Sequence, residues 1–246
     1  MPIIYELLRD DYSFEQAESI QLKYQKIIEK EVEKINILDI KKINCLVGVD
    51  VSYYKKDNYE FGVACAVLWN LDENKIENYY ITKDNINFPY KSGFLGFREC
   101  KILSKTISKL PNWPDLIICD GHGRIHPRRF GEAVHLGLAL NIASIGIAKN
   151  PFIGYSNWKE IDKIKGNKSP VWLNNPNIRP KNTFNELLGY AVCLHDGLKP
   201  VFISEGYKIN LDIALRICLK AAKGHRQPEP LYLADFYSRE EIKKHL

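Results

Sequence analysis

No stretch of this 246-residue chain approaches the roughly 18 consecutive apolar residues of a membrane-spanning helix. None of its six cysteines forms a CxxC pair, and no His/Cys cluster stands out, which argues against a thiolate metal site. Cys45, Cys65, Cys119, Cys193 and Cys218 lie in apolar runs and Cys100 follows Glu99, so buried reduced thiols are expected rather than disulfides. The amino terminus, "MPIIYELLRDDYSFEQ", has no basic lead-in and acquires acids early. A secretory signal is therefore not expected, and a cytoplasmic location is. There is no internal repeat and no low-complexity tract. What remains is an ordinary globular composition, 45% apolar and 26% charged, expected as one domain over residues 1–246. The net charge of +5 permits an anionic partner without naming one.

The hydropathy pattern sorts into elements. Ser13 and Gln16 have capping-box spacing, and Ile20, Tyr24, Ile27, Ile28 and Val32 recur at helical intervals to about Lys34. "INCLVGVDVSYY", "FGVACAVLWNL" and "IENYYITK" read as three strands joined by short polar turns, an antiparallel meander. "LGFRECKILSKTISKL" carries a helical stripe of Leu95, Ile102, Leu103, Thr106, Ile107 and Leu110. "DLIICD", "FGEAVHLGLALN" and "ASIGIAK" form a strand–helix–strand unit, whose strands are expected to be parallel by a right-handed crossover. Residues 150–185 read as loops with short strands. A strand pair at "LGYAVCLHDG" and "PVFIS" follows, then a helix at "LDIALRICLKAAKG" closed by Gly224. The expected fold is α/β, a mixed central sheet flanked by helices.

Acids occupy unusual places on these elements. Asp50 lies inside a strand between Val49 and Val51, where an unpaired carboxylate would cost several kcal/mol. Glu99 lies on the apolar stripe of its helix, three, four and seven positions before Ile102, Leu103 and Thr106, so its carboxylate is expected to face the sheet. Asp120 ends an oily strand, the end at which ligands of α/β sheets bind. Lys149 ends the next parallel strand and is expected beside Asp120. Three carboxylates form a hard oxygen-donor set, suited to Mg²⁺, with Mn²⁺ as a substitute, and to phosphodiester hydrolysis. Taken singly, Asp120 reads more as a turn or helix cap than as a ligand.

The loop "DGHGRIHPRRFGEA" adds glycines that allow close backbone approach, Gly121 and Gly123. It also adds His126, Arg128 and Arg129, expected to contact phosphate oxygens, and a helix start near Phe130 with its partial positive charge. "NFPYKSGFLGFRE" places Tyr90 on a Pro/Gly loop before the Glu99 helix, as a base-stacking candidate or an ordinary core aromatic.

Six motifs in one order, "GVDVSYY", "PYKSGFLGFRE", "DGHGRIHPRRFGEAVHLG", "SIGIAKN", "KPVFISEGYKI" and "RQPEPLYLADFYSRE", make the chain resemble the endonuclease V family of deoxyinosine 3′ endonucleases over nearly its whole length. The resemblance implies an RNase H-like fold, with Mg²⁺ held by Asp50 and Asp120 and Glu99 as third carboxylate. Asp235 stands where the family carries a further metal-proximal residue; on local pattern alone it reads as a terminal-helix cap. Lys149 and His126 match the family's active-site lysine and histidine. Tyr90 matches its aromatic wedge, and Gly93, Leu95, Gly121 and Gly123 its pocket for a flipped hypoxanthine, a base that is cheap to extrude. Ser92 stands where the family usually has proline, which implies a looser wedge loop. The implied reaction is hydrolysis of the second phosphodiester bond 3′ to inosine, leaving 3′-hydroxyl and 5′-phosphate, in DNA repair, by a monomer acting on inosine-containing DNA. Three alternatives stay open: an inosine-RNA endonuclease, a structure-specific nuclease and a non-catalytic inosine binder.

Overall fold

Positive φ at Asp57 and Asn58, 50° and 64°, folds the chain back between its first two strands, as a two-residue hairpin turn requires. The computed structural model describes residues 3–31, 37, 39–178 and 184–244. Helix α1 (Phe14–Glu31) precedes strands β1 (Cys45–Lys56), β2 (Tyr59–Asn70) and β3 (Lys75–Asn85), which form the antiparallel meander. Helix α2 (Leu95–Ile107) leads to β4 (Leu116–Cys119), helix α3 (Glu132–Leu140) and β5 (Ala143–Ala148). β4 pairs parallel with both β1 and β5. Strands β6 (Lys168–Trp172), β7 (Leu187–Val192) and β8 (Val201–Glu205) extend the sheet antiparallel, in the order β3-β2-β1-β4-β5-β8-β7-β6. Helices α4 (Leu211–Lys220) and α5 (Glu229–Lys243) close the described chain. The expected mixed sheet between helices is what forms.

Strand parity explains why both faces are covered. Leu46, Ile118, Ile145 and Ile147 pack with Leu215, Ile217 and Cys218 of α4 and Leu231 of α5. Val47, Val49, Ile117 and Cys119 pack with Ile102, Leu103 and Ile107 of α2 and Leu136 and Leu140 of α3. Alternate residues of β1 and β4 thus serve opposite cores, as expected of strands buried on both faces. Gly48 lets α5 lie directly on β1, since a Cβ there would come within 2.4 Å of the Pro230 backbone.

Helix α1 starts at the expected capping box: Gln16 N–H donates to Ser13 Oγ at 3.3 Å and Ser13 N–H to Gln16 Oε1 at 2.9 Å. Ala17, Ile20 and Tyr24 join Phe88, Phe94, Phe97 and Phe130 in a third core, which lays α1 across the loops before α2 and α3. Ile27 of the expected stripe is exposed, and Val32 to Lys34 lie outside the described residues.

Two boundary expectations are corrected. Helix α4 ends at Lys220 with Ala221 as its cap, and Gly224, at φ 146°, belongs to the turn beyond it. Asp235 is not a cap: α5 starts at Glu229 with Pro228 as its N-cap, and Asp235 stands inside the helix, in its second turn.

Candidate active site

Asp50 is carried mid-strand on β1, on the face covered by α5. β4 stops at Cys119, and the Asp120 N–H donates to Val49 O at 3.3 Å, which sets Asp120 beside β1. Lys149, one residue beyond β5, reaches Asp120 Oδ2 at 3.1 Å, so the crossover joins the two strand ends as expected. Glu99, 6% exposed on α2, accepts a hydrogen bond from Tyr53 OH of β1. Asp235 on α5 acts on Asp50 through its charge and is itself paired with Arg239 at 2.7 Å. Ser238 Oγ lies 3.4 Å from Asp50 Oδ2 and 2.8 Å from Ser52 Oγ.

Asp50 and Glu99 hold their protons more tightly than ordinary carboxyls. Burial, then the charges of Asp120, Glu99 and Asp235, hold the Asp50 carboxyl well above the usual range, with Lys149 opposing. Burial likewise pushes Glu99 up to about 7, against the lowering effect of hydrogen bonds with Tyr53 and Glu132. Among the described residues, no three His, Cys, Asp or Glu side chains stand in a ready-made cation cage.

Glu132 is a fifth carboxyl, one that the sequence expectations do not include. It is 3% exposed in the first turn of α3, and burial followed by the Glu99 charge holds its proton on well above the usual range. Its Oε2 has no hydrogen-bond partner in the structure and lies where a Gly121 Cβ would be, 2.0 Å from that position. A signal is available in the sequence: α3 is apolar on every side except at Glu132 and His135, and the desolvation argument made for Asp50 applies equally to a charge in such a helix. The helix start, expected near Phe130 as a positive end facing phosphate, is at Glu132 and already holds this acid.

Asp120 and Gly121 are consecutive, so the acid cluster adjoins a cavity of about 250 Å³ lined by Tyr90, Gly93, Leu95, Gly121, His122 and Phe152, among others. Tyr90 is 75% exposed at its rim, not a core aromatic. Phe152 stacks on His122 and meets His126 edge-on, with ring centroids 5.9 and 5.4 Å apart. Burial drives the His122 ring down to about 4, so it is neutral near pH 7. His122 and Phe152 also lie outside the expected set, because neither residue type is unusual in a loop.

The remaining expected contacts fall out differently. His126 is 3% exposed and held down to about 3 by burial and by the Arg128 charge. Its Nε2 lies 3.1 Å from Gly93 O, and its Nδ1 accepts from Arg128 N–H at 3.2 Å, which assigns the proton to Nε2. Neither nitrogen is left for a phosphate or a proton transfer. Arg128 donates to Gln21 Oε1, Glu18 Oε1 and Gly93 O at 2.5, 3.1 and 2.9 Å. Arg129 pairs with Glu186 at 2.9 Å. Both arginines are thus engaged within the protein rather than presented to phosphate. Gly123 does not line the cavity: its N–H donates to Ser204 Oγ at 2.9 Å, and a Cβ there would meet Glu205 O.

The model of the endonuclease V family matches residues 26–236. The chain belongs to the endonuclease V family. Endonuclease V of Dictyoglomus thermophilum is 37% identical over 219 residues, spanning 87% of this chain and 88% of that one. The crystal structure of endonuclease V from Bacillus subtilis superposes with a TM-score of 0.78 at 25% identity, covering 100% of both chains. Ciona intestinalis endonuclease V, in complex with a 24mer DNA containing an inosine followed by a ribo-adenosine, gives a TM-score of 0.75 at 30% identity, covering 95% of this chain and 100% of that one. Membership makes the protein an endonuclease, and the acid cluster with its adjoining cavity is its candidate active site. No helix among the described residues is long and apolar enough to cross a membrane.

Proposed function

We propose that this endonuclease cuts inosine-containing nucleic acid at the second phosphodiester bond 3′ to the inosine, leaving a 3′-hydroxyl and a 5′-phosphate, as a monomer serving DNA repair. The observation that carries the reading is the adjacency of a carboxyl cluster to a cavity below the roughly 300–1,000 Å³ of drug-sized ligand sites, a size suited to one base. The Ciona complex with inosine-containing DNA supports the same substrate class.

The chemistry of the donors, rather than a preformed cage, suits a divalent cation. Asp50, Asp120 and Glu99 offer only oxygen, Asp235 adds charge nearby, and burial leaves Asp50 and Glu99 reluctant to ionise without a compensating positive charge. Asp50 and Asp120, with Glu99, would hold Mg²⁺, or Mn²⁺ in its place. When bound, the ion would polarise the phosphoryl group and lower the pKa of the attacking water. Lys149 fixes the Asp120 carboxylate and offsets negative charge at the cut. Tyr90 stacks at the opening left by the extruded base, and the walls at Gly93, Leu95 and Gly121 receive it. Replacing Asp120 with Asn tests the reading: nicking of a deoxyinosine duplex in Mg²⁺ should fall by about 10²–10³, and undiminished cleavage would overturn it. Parallel strands with deoxyinosine or inosine decide the sugar preference.

A further inference from the structure

Three side chains from separate parts of the fold converge on one carbonyl. Gly93 O accepts from Gln21 Nε2 at 3.0 Å and Arg128 Nη2 at 2.9 Å, and His126 Nε2 lies 3.1 Å away. A carbonyl oxygen has two lone pairs, so three donors exceed what backbone satisfaction requires. Gln21, 1% exposed on α1, also donates to Phe130 O at 3.2 Å and accepts from Arg128 Nε at 2.5 Å. One amide therefore ties α1 to the loops before α2 and α3. None of these bonds reaches the carboxyl cluster.

The anchored residue belongs to a turn. Phe94 N–H donates to Lys91 O at 3.1 Å with Gly93 at φ 87°, the arrangement of a type II turn. Proline favours the position before that glycine because its ring presets φ; Ser92 occupies it and leaves the torsion free. The same loop carries Tyr90 and part of the cavity wall, so its stiffness must come from outside the turn.

We propose that Gln21 is a positioning residue for base recognition: with His126 and Arg128 it clamps Gly93 O and so holds Tyr90 and the cavity wall in place, supplying rigidity that Ser92 does not. The recognition part rests on the proposed function; the clamp itself does not. Gln21→Leu keeps the bulk and removes the amide. Amide hydrogen exchange at residues 90–94, measured without substrate, is expected to quicken about tenfold, as befits the loss of local hydrogen bonds. In single-turnover cleavage of an inosine strand, the half-saturating concentration is expected to rise about tenfold while the saturating rate falls less than about threefold. Adding Ser92→Pro should recover about half of both effects by restricting the turn. Unchanged exchange and half-saturation overturn the clamp, as does a loss confined to the saturating rate. If Gln21→Leu fails to fold, Gln21→Glu, which keeps an acceptor for Arg128 and loses both donors, takes the same measurements. A wild-type protein that leaves inosine strands uncut overturns the substrate assignment, whatever the exchange result.

Discussion

Asp50, Glu99, Asp120 and Glu132 crowd together with one direct ion pair among the described residues, Lys149 to Asp120, whereas on the neighbouring loop Gly93 O alone meets three donors. The acid end holds buried carboxyls, three of which keep their protons for want of a neighbouring cation. The recognition loop holds one carbonyl, Gly93 O, that its surroundings over-satisfy. Carboxyls that lack a compensating cation suit a metal ion and a reaction; saturated hydrogen bonding suits a rigid loop. The contrast also separates what each end does to stability.

The largest expected effect breaks the acid end alone. Glu99→Gln should lower single-turnover cleavage by about 10²–10³ while leaving inosine-strand affinity intact, and loss of binding instead of rate would refute the division. Next, Mg²⁺ at about a hundred times its dissociation constant should stabilise the wild type by about 2.7 kcal/mol. Asp50→Asn should abolish that shift in melting temperature. Tyr90→Ala acts at the other end: affinity for the inosine strand should weaken by about 1–3 kcal/mol, the worth of one stacked base, with no change in melting temperature because the ring is exposed.

The smallest effect is a difference in pH slope. Asp50, Glu99 and Glu132 keep their protons above their unfolded values, so in metal-free protein the folded state binds more protons. Their contribution to stability falls as pH rises above about 4, with the Glu99 part spent near 7. The neutral His122 and His126 have folded values near 4 and 3, so their contribution is full above the unfolded value of about 6.5 and is lost as pH falls below it. Urea midpoints at pH 5, 6.5 and 8 read both arms. Glu132→Gln should raise stability at pH 8 by about 1 kcal/mol and flatten only the upper arm.

The acid end is legible in the sequence because its determinants are local. A carboxylate inside β1, one at the end of β4, a lysine at the end of β5 and a glutamate on the apolar stripe of α2 are each visible in a window of ten residues. Glu132 is visible by the same rule, although the expected acid set omits it. The recognition end is legible in part. Glycines and Tyr90 mark the loop, but Arg128, Arg129 and His126 read as phosphate contacts because a basic loop in sequence shows no partners. Those partners, Gln21, Glu186 and Gly93, come from 107, 57 and 33 residues away.

Sequence alone determined the element types, the parity that covers both faces of the sheet, and the acids that parity carries to one strand end, since side-chain direction follows from backbone period. Tertiary structure alone decided which acidic and basic groups find partners and which do not. It placed α5 against Gly48, which brings the Asp235 charge to bear on Asp50, and α1 across the loops, where Gln21 meets Gly93. Such contacts depend on how helices settle on a sheet, which packing over the whole core sets and no local pattern encodes.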